Sequence, residues 1–317
     1  MSAAELPEYT TTICDTRQAD IGDISTAGGV CVSPVEASGL LYLPEEKRFL
    51  VISDETDGKE PMLFFMDTAG YIGQRTVVKR LSAINDMEGI TRDTHGRVYL
   101  LASQSFNRKG KRTTARRLLV RMTGTGKSGF RADASVPLID VLAKAAEQQP
   151  SAKWSSFVAG ALREKSVDIE GIVWYNDTLL FGFKNPKMGN DAVILAASDP
   201  DALFRTGRVK PAQVMLWRRF PLFDTVSGTY CGVSDLCFTD GRLYGLSTGV
   251  SSSSGVEEDV GLFWTFDPAT GSCTFFRHFS GLKPEGIAYN SDRGEFCIVF
   301  DNGSENPSQF MTVKVSP

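Results

Sequence analysis

Histidine is almost absent from this chain: His95 and His278 are the only two in 317 residues. That removes the usual nitrogen ligands of a zinc centre. No Gly-x-Ser-x-Gly elbow occurs either, and neither histidine is placed to serve a serine nucleophile, so a Ser-His-Asp hydrolase is excluded. The six cysteines, Cys14, Cys31, Cys231, Cys237, Cys273 and Cys297, contain no Cys-x-x-Cys pair, and a chain of this length does not need disulfide staples. Cys237, Cys273 and Cys297 fall in β-like runs and are expected to be reduced core thiols. No apolar stretch approaches the ~18 residues that would cross a bilayer. Met1 to Thr12 carries Glu5 and Glu8 and lacks both the basic start and the apolar centre of a secretion signal, so a cytoplasmic location is expected. There is no basic excess: 34 Lys and Arg face 38 Asp and Glu, a net charge of −4, which argues against a nucleic-acid binder. Gly124-Thr125-Gly126-Lys127-Ser128 ends like a P-loop, but Arg121 stands where its first glycine belongs and Gly129 follows where a helix should start; it reads as a turn.

What the chain does have is a repeat. Ser38-Gly39-Leu40, Glu88-Gly89-Ile90, Glu170-Gly171-Ile172, Ser234-Asp235-Leu236 and Glu285-Gly286-Ile287 are copies of one anchor. From Gly39 the intervals are 50 residues to Gly89, 82 to Gly171, 64 to Asp235 and 51 to Gly286. Each anchor opens a β-like run, followed by a turn and a second run: Arg48 to Ser53, Arg97 to Ser103, Thr178 to Phe183, Arg242 to Ser247 and Glu295 to Phe300. A period near fifty, with two enlarged copies, is the signature of propeller blades, each a four-stranded antiparallel sheet of about 40 to 50 residues.

The pattern therefore predicts an all-β, five-bladed propeller forming one domain over residues 1–317. The last blade lacks a strand, and the Thr-rich run Tyr9 to Cys14 has no blade of its own; pairing the two closes the ring and removes an unpaired sheet edge. Ile21 to Pro34 is unassigned and leaves room for a sixth, degenerate copy. Val136 to Gln148 and Ala152 to Lys165 have helical spacing of apolar residues with Pro150 between them, which predicts a helical hairpin inserted at 136–165. Propeller topology places the anchors, the insertion and five polar loops at one end of the central channel. Those loops are 55–61, 105–115, 184–191, 248–260 and 301–309, and a functional site is expected there.

The position before each anchor glycine or aspartate reads Ser38, Glu88, Glu170, Ser234 and Glu285; two positions earlier come Glu36, Asp86, Asp168, Gly232 and Lys283. Residues two apart on a strand share a side, so Asp86 with Glu88, and Asp168 with Glu170, are expected as carboxylate pairs. Crowded carboxylates need a cation, a proton or basic neighbours. Oxygen ligands alone suit a hard cation such as Ca²⁺. Two other uses stay open: the glutamates could accept backbone N–H bonds and tie blades together, or form a metal-free acid/base pair. Asp54, Gln104, Lys184, Asn185, Asp301 and Asn302 end the second runs and are expected beside these carboxylates. Arg108 and Arg112 belong to a loop with six basic residues in ten, Arg108 to Arg117; such a run is commonly a solvated loop, but here it faces the channel and could hold an anion.

The Asp86-Met87-Glu88-Gly89-Ile90 and Asp168-Ile169-Glu170-Gly171-Ile172 segments, with Pro284-Glu285-Gly286-Ile287, resemble the esterase-like phytase propellers and their bacterial relatives. More distantly they are similar to gluconolactonase and regucalcin propellers. The resemblance runs from about Pro34 to Val315. It implies a divalent cation, held by Glu88, Glu170 and Glu285, and hydrolysis of a phosphoester, ester or lactone. Ser38 and Ser234 depart from the pattern. The resulting expectation is a cation-dependent hydrolase. Asp86, Asp168, Glu88 and Glu170 would carry the chemistry, and Lys184, Asn185, Arg108, Arg112, Asp54 and Asp301 would hold a small anionic substrate. The alternative is a non-catalytic platform whose top face receives a protein or peptide.

Overall fold

The computed structural model describes residues 14–15, 27–30, 35–54, 61–252, 257–303 and 308–315. Five four-stranded blades surround a channel. Their innermost strands are Ala37–Leu43, Met87–Arg92, Asp168–Tyr175, Gly232–Thr239 and Lys283–Asn290. Each inner strand packs against the next, and the fifth returns to the first, so the ring is closed.

The reason lies in how the apolar residues are shared. Blades are faced on both sides, so their central strands are apolar almost throughout, as in Phe49, Leu50, Val51 and Ile52 of blade one. Burial divides into five clusters, one in each wedge between neighbouring blades. Leu50, Ile52 and Phe65 of blade one meet Ile90, Leu100 and Met122 of blade two. Leu180, Ile194 and Trp217 of blade three meet Leu236, Trp264 and Phe266 of blade four. Tyr244, Leu246 and Phe263 meet Ile287, Phe296 and Ile298 between blades four and five.

Closure uses an unexpected strand. Ala27–Val30, inside the unassigned run, pairs antiparallel with Gln309–Val313 and completes blade five. Cys14–Asp15 instead runs parallel to the outer strand of blade four, with Cys14 opposite Cys273; Tyr9 to Ile13 lie outside the described residues. A four-residue Ala-Gly-Gly-Val strand has no alternation to announce it, which is why the Thr-rich run looked the better closer. With that segment used, five blades and a two-stranded ribbon, Phe223–Asp224 against Thr229–Tyr230, account for the sheets, and no sixth blade is formed among the described residues.

Cys231, Cys237 and Cys297 are free. Cys273 is disulfide-bonded, against the expectation of a reduced thiol; no Cys-x-x-Cys spacing in the sequence announces it. No helix among the described residues is long and apolar enough to cross a membrane.

The helical hairpin forms as α1 (Leu138–Ala146) and α2 (Lys153–Arg163). Its apolar faces cover the wedge between blades two and three, where Phe157 meets Phe183 edge-on at 5.0 Å. Gln104, expected at the site, is instead fully buried, and its Oε1 accepts the Ile139 N–H at the start of α1 (3.2 Å). A further short helix, α3 (Pro200–Thr206), is capped by the Asp199 carboxylate, which accepts from Ala202 N at 3.0 Å.

The anchor glycines let inner strands touch. A Cβ on Gly89 would lie 2.6 Å from the Glu170 carbonyl oxygen of the next blade, and one on Gly286 would lie 2.8 Å from the Gly39 Cα. Backbone cannot yield as a flexible side chain can. Gly89→Ala should therefore cost about 2–3 kcal/mol or prevent folding. Gly160→Ala on α2, where the nearest atom is an Arg163 nitrogen at 3.7 Å, should stabilise by about 0.5–1 kcal/mol. Denaturant unfolding of both variants checks the pair; equal effects would contradict the close-approach argument.

Candidate functional site

In every blade the pairing of the first two strands slips at the anchor: between Ala37 and Gly39, Met87 and Gly89, Ile169 and Gly171, Val233 and Asp235, and Pro284 and Gly286. The residue left out of register is the column residue, Ser38, Glu88, Glu170, Ser234 or Glu285. A β-bulge frees its extra residue from the ladder and re-aims the side chain. Repeated five times, it puts this column in one ring at the channel mouth.

The members of the ring do different things. Ser38 Oγ accepts the Asp54 N–H (3.0 Å), and Ser234 Oγ donates to the Pro284 carbonyl (2.8 Å). The glutamates converge: one carboxylate oxygen from each of Glu88, Glu170 and Glu285 lies within 4.8 Å of the others. In blade four Asp235 replaces the anchor glycine. It is fully buried and accepts both the Leu236 and Ile287 N–H groups at 2.8 Å, tying blade four to blade five.

Two ammonium groups enter this acidic ring. Lys184 Nζ lies 2.8 Å from Glu170 and 3.6 Å from Glu285; Lys283 Nζ lies 2.8 Å from both Glu285 and Asp301. Glu170 Oε2 is buried and has no hydrogen-bond partner. Burial, with the charges of Glu170, Asp86, Glu285 and Asp168, drives the Glu88 carboxyl well above its ordinary value. Burial also raises Glu170, with Lys184 opposing and Glu285 and Asp168 adding to the rise. For Lys184, burial alone would weaken the charge, but Glu170, Glu285 and Asp168 outweigh it and hold the ammonium.

Of the expected site residues, Glu88, Glu170, Glu285 and Lys184 come together. Asp301 joins through Lys283. Asp86 and Asp168 stay close enough to act on the Glu88 carboxyl, while the bulges at Glu88 and Glu170 interrupt the two-residue alternation from which their pairing was expected. Asp86 adopts φ +61° and its Oδ2 accepts from Arg116 Nη1 (2.6 Å), Ser105 Oγ (3.0 Å) and the Ser103 hydroxyl. Asp168 opens onto a cavity of about 580 Å³ beside the ring, whose other lining groups include Lys165, Lys187, Asn185, Phe106 and Tyr230. Arg112 does not line that cavity: with Arg117 it grips Asp140 of α1 at 2.7 Å, and its guanidinium lies over Phe106. Arg108 is exposed at the loop turn. Asp54 holds the rim of blade one through its backbone, its carbonyl accepting the Asp86 N–H at 3.3 Å. Arg116, Lys283, Lys165 and Lys187 were not singled out as site residues, although Lys283 stands in the column two before Glu285, Arg116 in the basic run and Lys187 in the 184–191 loop.

The far end of the channel is different in kind. A cavity of about 190 Å³ there is lined by Tyr42, Trp174, Phe238 and Tyr289 with aliphatic side chains, Thr91, Thr239 and Arg92, and by no carboxylate. The acidic chemistry belongs to one mouth.

Asp168 gives a pH signature. Burial pushes its carboxyl up to about 6, against the pull of Lys184. The folded protein then holds a proton that the unfolded chain has released between about pH 4 and pH 6, so stability falls as pH rises through that window. Asp93, Asp224 and Asp301, held below the usual range, lose their contributions only in stronger acid. Thermal unfolding of the metal-free protein should therefore shift upward from pH 7 to pH 5. Asp168→Asn should stabilise at pH 7 by about 1–3 kcal/mol and flatten the slope. A wild-type profile that falls on mild acidification would contradict this.

No family model matches the sequence, and no curated protein matches it. Solved structures similar in fold include the glutaminyl cyclase of Myxococcus xanthus, at 12% identity and TM-score 0.48, over 97% of this chain and 100% of that one. They also include a gluconolactonase of Xanthomonas campestris, at 10% identity and TM-score 0.42, over 97% and 98% of the two chains. The PQQ domain of pyranose dehydrogenase from Coprinopsis cinerea aligns at 11% identity and TM-score 0.37, over 96% and 100%.

Proposed function

We propose that this propeller is a divalent-cation-dependent hydrolase that acts on a small anionic molecule, a phosphoester, ester or lactone, at the acidic mouth of its channel. The observation that carries the reading is the convergence of Glu88, Glu170 and Glu285 to within 4.8 Å, with the buried Glu170 Oε2 lacking any donor. An unpartnered buried oxygen costs about 1–3 kcal/mol, and a cation removes that cost. The donors are all carboxylate oxygens, which fits Ca²⁺ or Mg²⁺ and not zinc.

Glu88, Glu170 and Glu285 would hold the ion, and the ion would supply Lewis-acid polarisation of a phosphoryl or acyl oxygen. The chain's own residues do the rest. Asp168, at the border of ring and cavity, titrates close enough to neutrality to take or give a proton. Lys184 keeps its charge and lies against the glutamates, where it can pair with an anionic group that approaches them. Lys165, Lys187 and Asn185 line the adjoining cavity and can bind the remainder of the substrate, the role first expected of Arg108 and Arg112. Phe106 and Tyr230 give that cavity apolar surface. The likeness of the anchor segments to esterase-like phytase propellers supports the same reading.

The test is calcium titration by calorimetry on protein stripped with chelator. Wild type should take up calcium and gain thermal stability, with protons released at pH 6. The Glu88→Gln/Glu170→Gln variant should lose uptake by at least about a hundredfold. Hydrolysis of 4-nitrophenyl phosphate, 4-nitrophenyl acetate and a lactone should depend on the added ion. Unchanged metal content in the double variant would overturn the assignment.

A further inference from the structure

Two anchor intervals exceed the ordinary blade length, 82 residues from Gly89 to Gly171 and 64 from Gly171 to Asp235. They contain segments that no blade requires: α1 and α2 in the first, α3 and the turn to Gln213 in the second. The fold brings these two insertions together on the outside of blade three, where they enclose a cleft of about 790 Å³. Lys144 of α1 contributes one wall, and Arg205, Arg208 and Lys210 contribute the other. The base is apolar, from Val141, Ala145 and Val209.

We propose that this cleft is a binding site, separate from the channel, for a small organic polyanion. Its four cationic side chains have no carboxylate partner among the described residues. Nearby cations do: Arg97 and Arg121 share Asp201, and Arg112 and Arg117 share Asp140. The one carboxylate lining the cleft, Asp199, is already committed, its Oδ1 to the Ala202 N–H and its Oδ2 to Gln213 Nε2 (3.2 Å). In a chain of net charge −4 the cleft is thus a local reversal of sign, able to concentrate anions.

A charged run is ordinarily a solvated convex face. Here the surface is concave, the charges come from separate insertions, and the volume lies in the range of about 300–1,000 Å³ that holds small ligands. Guanidinium forks match carboxylate or phosphate oxygens. An apolar base beneath a cationic rim suits a molecule with a flat or apolar body and at least two negative groups.

Calorimetry on the whole protein with ADP, citrate and inorganic pyrophosphate, at about 50 mM salt, tests the site. ADP or citrate should bind with a dissociation constant below about 1 mM, and more weakly at about 200 mM salt. Arg208→Glu/Lys210→Glu on one wall and Lys144→Glu on the other, all exposed and outside the cores, should each weaken binding by at least about tenfold. Glu88→Gln/Glu170→Gln should bind as wild type does, which separates this site from the channel. The proposal is overturned if neither ADP nor citrate binds, if pyrophosphate alone binds, or if the charge-reversed variants bind unchanged. It also falls if the channel variant shares the loss, or if a glutamate-rich peptide binds where the small anions do not.

Discussion

Five inner strands must share one narrow channel, and the contact between their backbones is the constraint on which everything else rests. Gly89 and Gly286 allow it by having no Cβ to place against the neighbouring backbone. Blade four meets the same demand differently, with a buried aspartate whose carboxylate bonds the Ile287 N–H across the gap. At each anchor the ladder also slips by one residue. The slip is local, but five slips at one level make a ring. A propeller with in-register inner strands would have kept each column residue as an ordinary member of its ladder, without the extra, re-aimed position the bulge supplies.

How far the sequence could be read follows from this. Repetition carries a strong signal, so the blades, the column of Ser38, Glu88, Glu170, Ser234 and Glu285, and the inserted hairpin were all legible. Features that occur once were not. The closing strand Ala27–Val30 is too short and too rich in glycine to show a period. The bonded state of Cys273 left no spacing motif to read. The expected pairing of Asp86 with Glu88 assumed two-residue alternation at the very place where the bulge interrupts it. Gln104 and Arg112 are instructive because both are polar residues in loops near the site, yet both anchor α1, Gln104 through the Ile139 N–H and Arg112 through Asp140. An inserted element must be tied to its host by something, and polar loop residues do that as readily as they bind substrate.

The insertion also explains why the site is lopsided. A bare ring at a channel mouth would be symmetric and open. Here the chain leaving α2 through Lys165 and Ser166 enters the inner strand at Asp168, so the hairpin builds one wall of the cavity beside the ring. Asp168 belongs at once to the strand that carries Glu170 and to the wall of that cavity. Its raised titration range reflects this position, beneath the surface but near the acidic cluster, with Lys184 only partly compensating.

The balance of charge in the ring can be followed further. Two carboxylates at about 4.8 Å repel by about 3–4 kcal/mol at an effective dielectric constant near 20, so three ionised glutamates would oppose folding by about 10 kcal/mol. Lys184 relieves Glu170, and Lys283 relieves Glu285. Glu88 has no ion-pair partner among the described residues, and burial and four acidic neighbours act on it in the same direction. Burial and charge thus favour the neutral carboxyl at Glu88 with nothing opposing them, whereas at Glu170 the Lys184 charge opposes the same rise. The two lysines each face one of the other two glutamates and leave Glu88 without a cationic partner among the described residues.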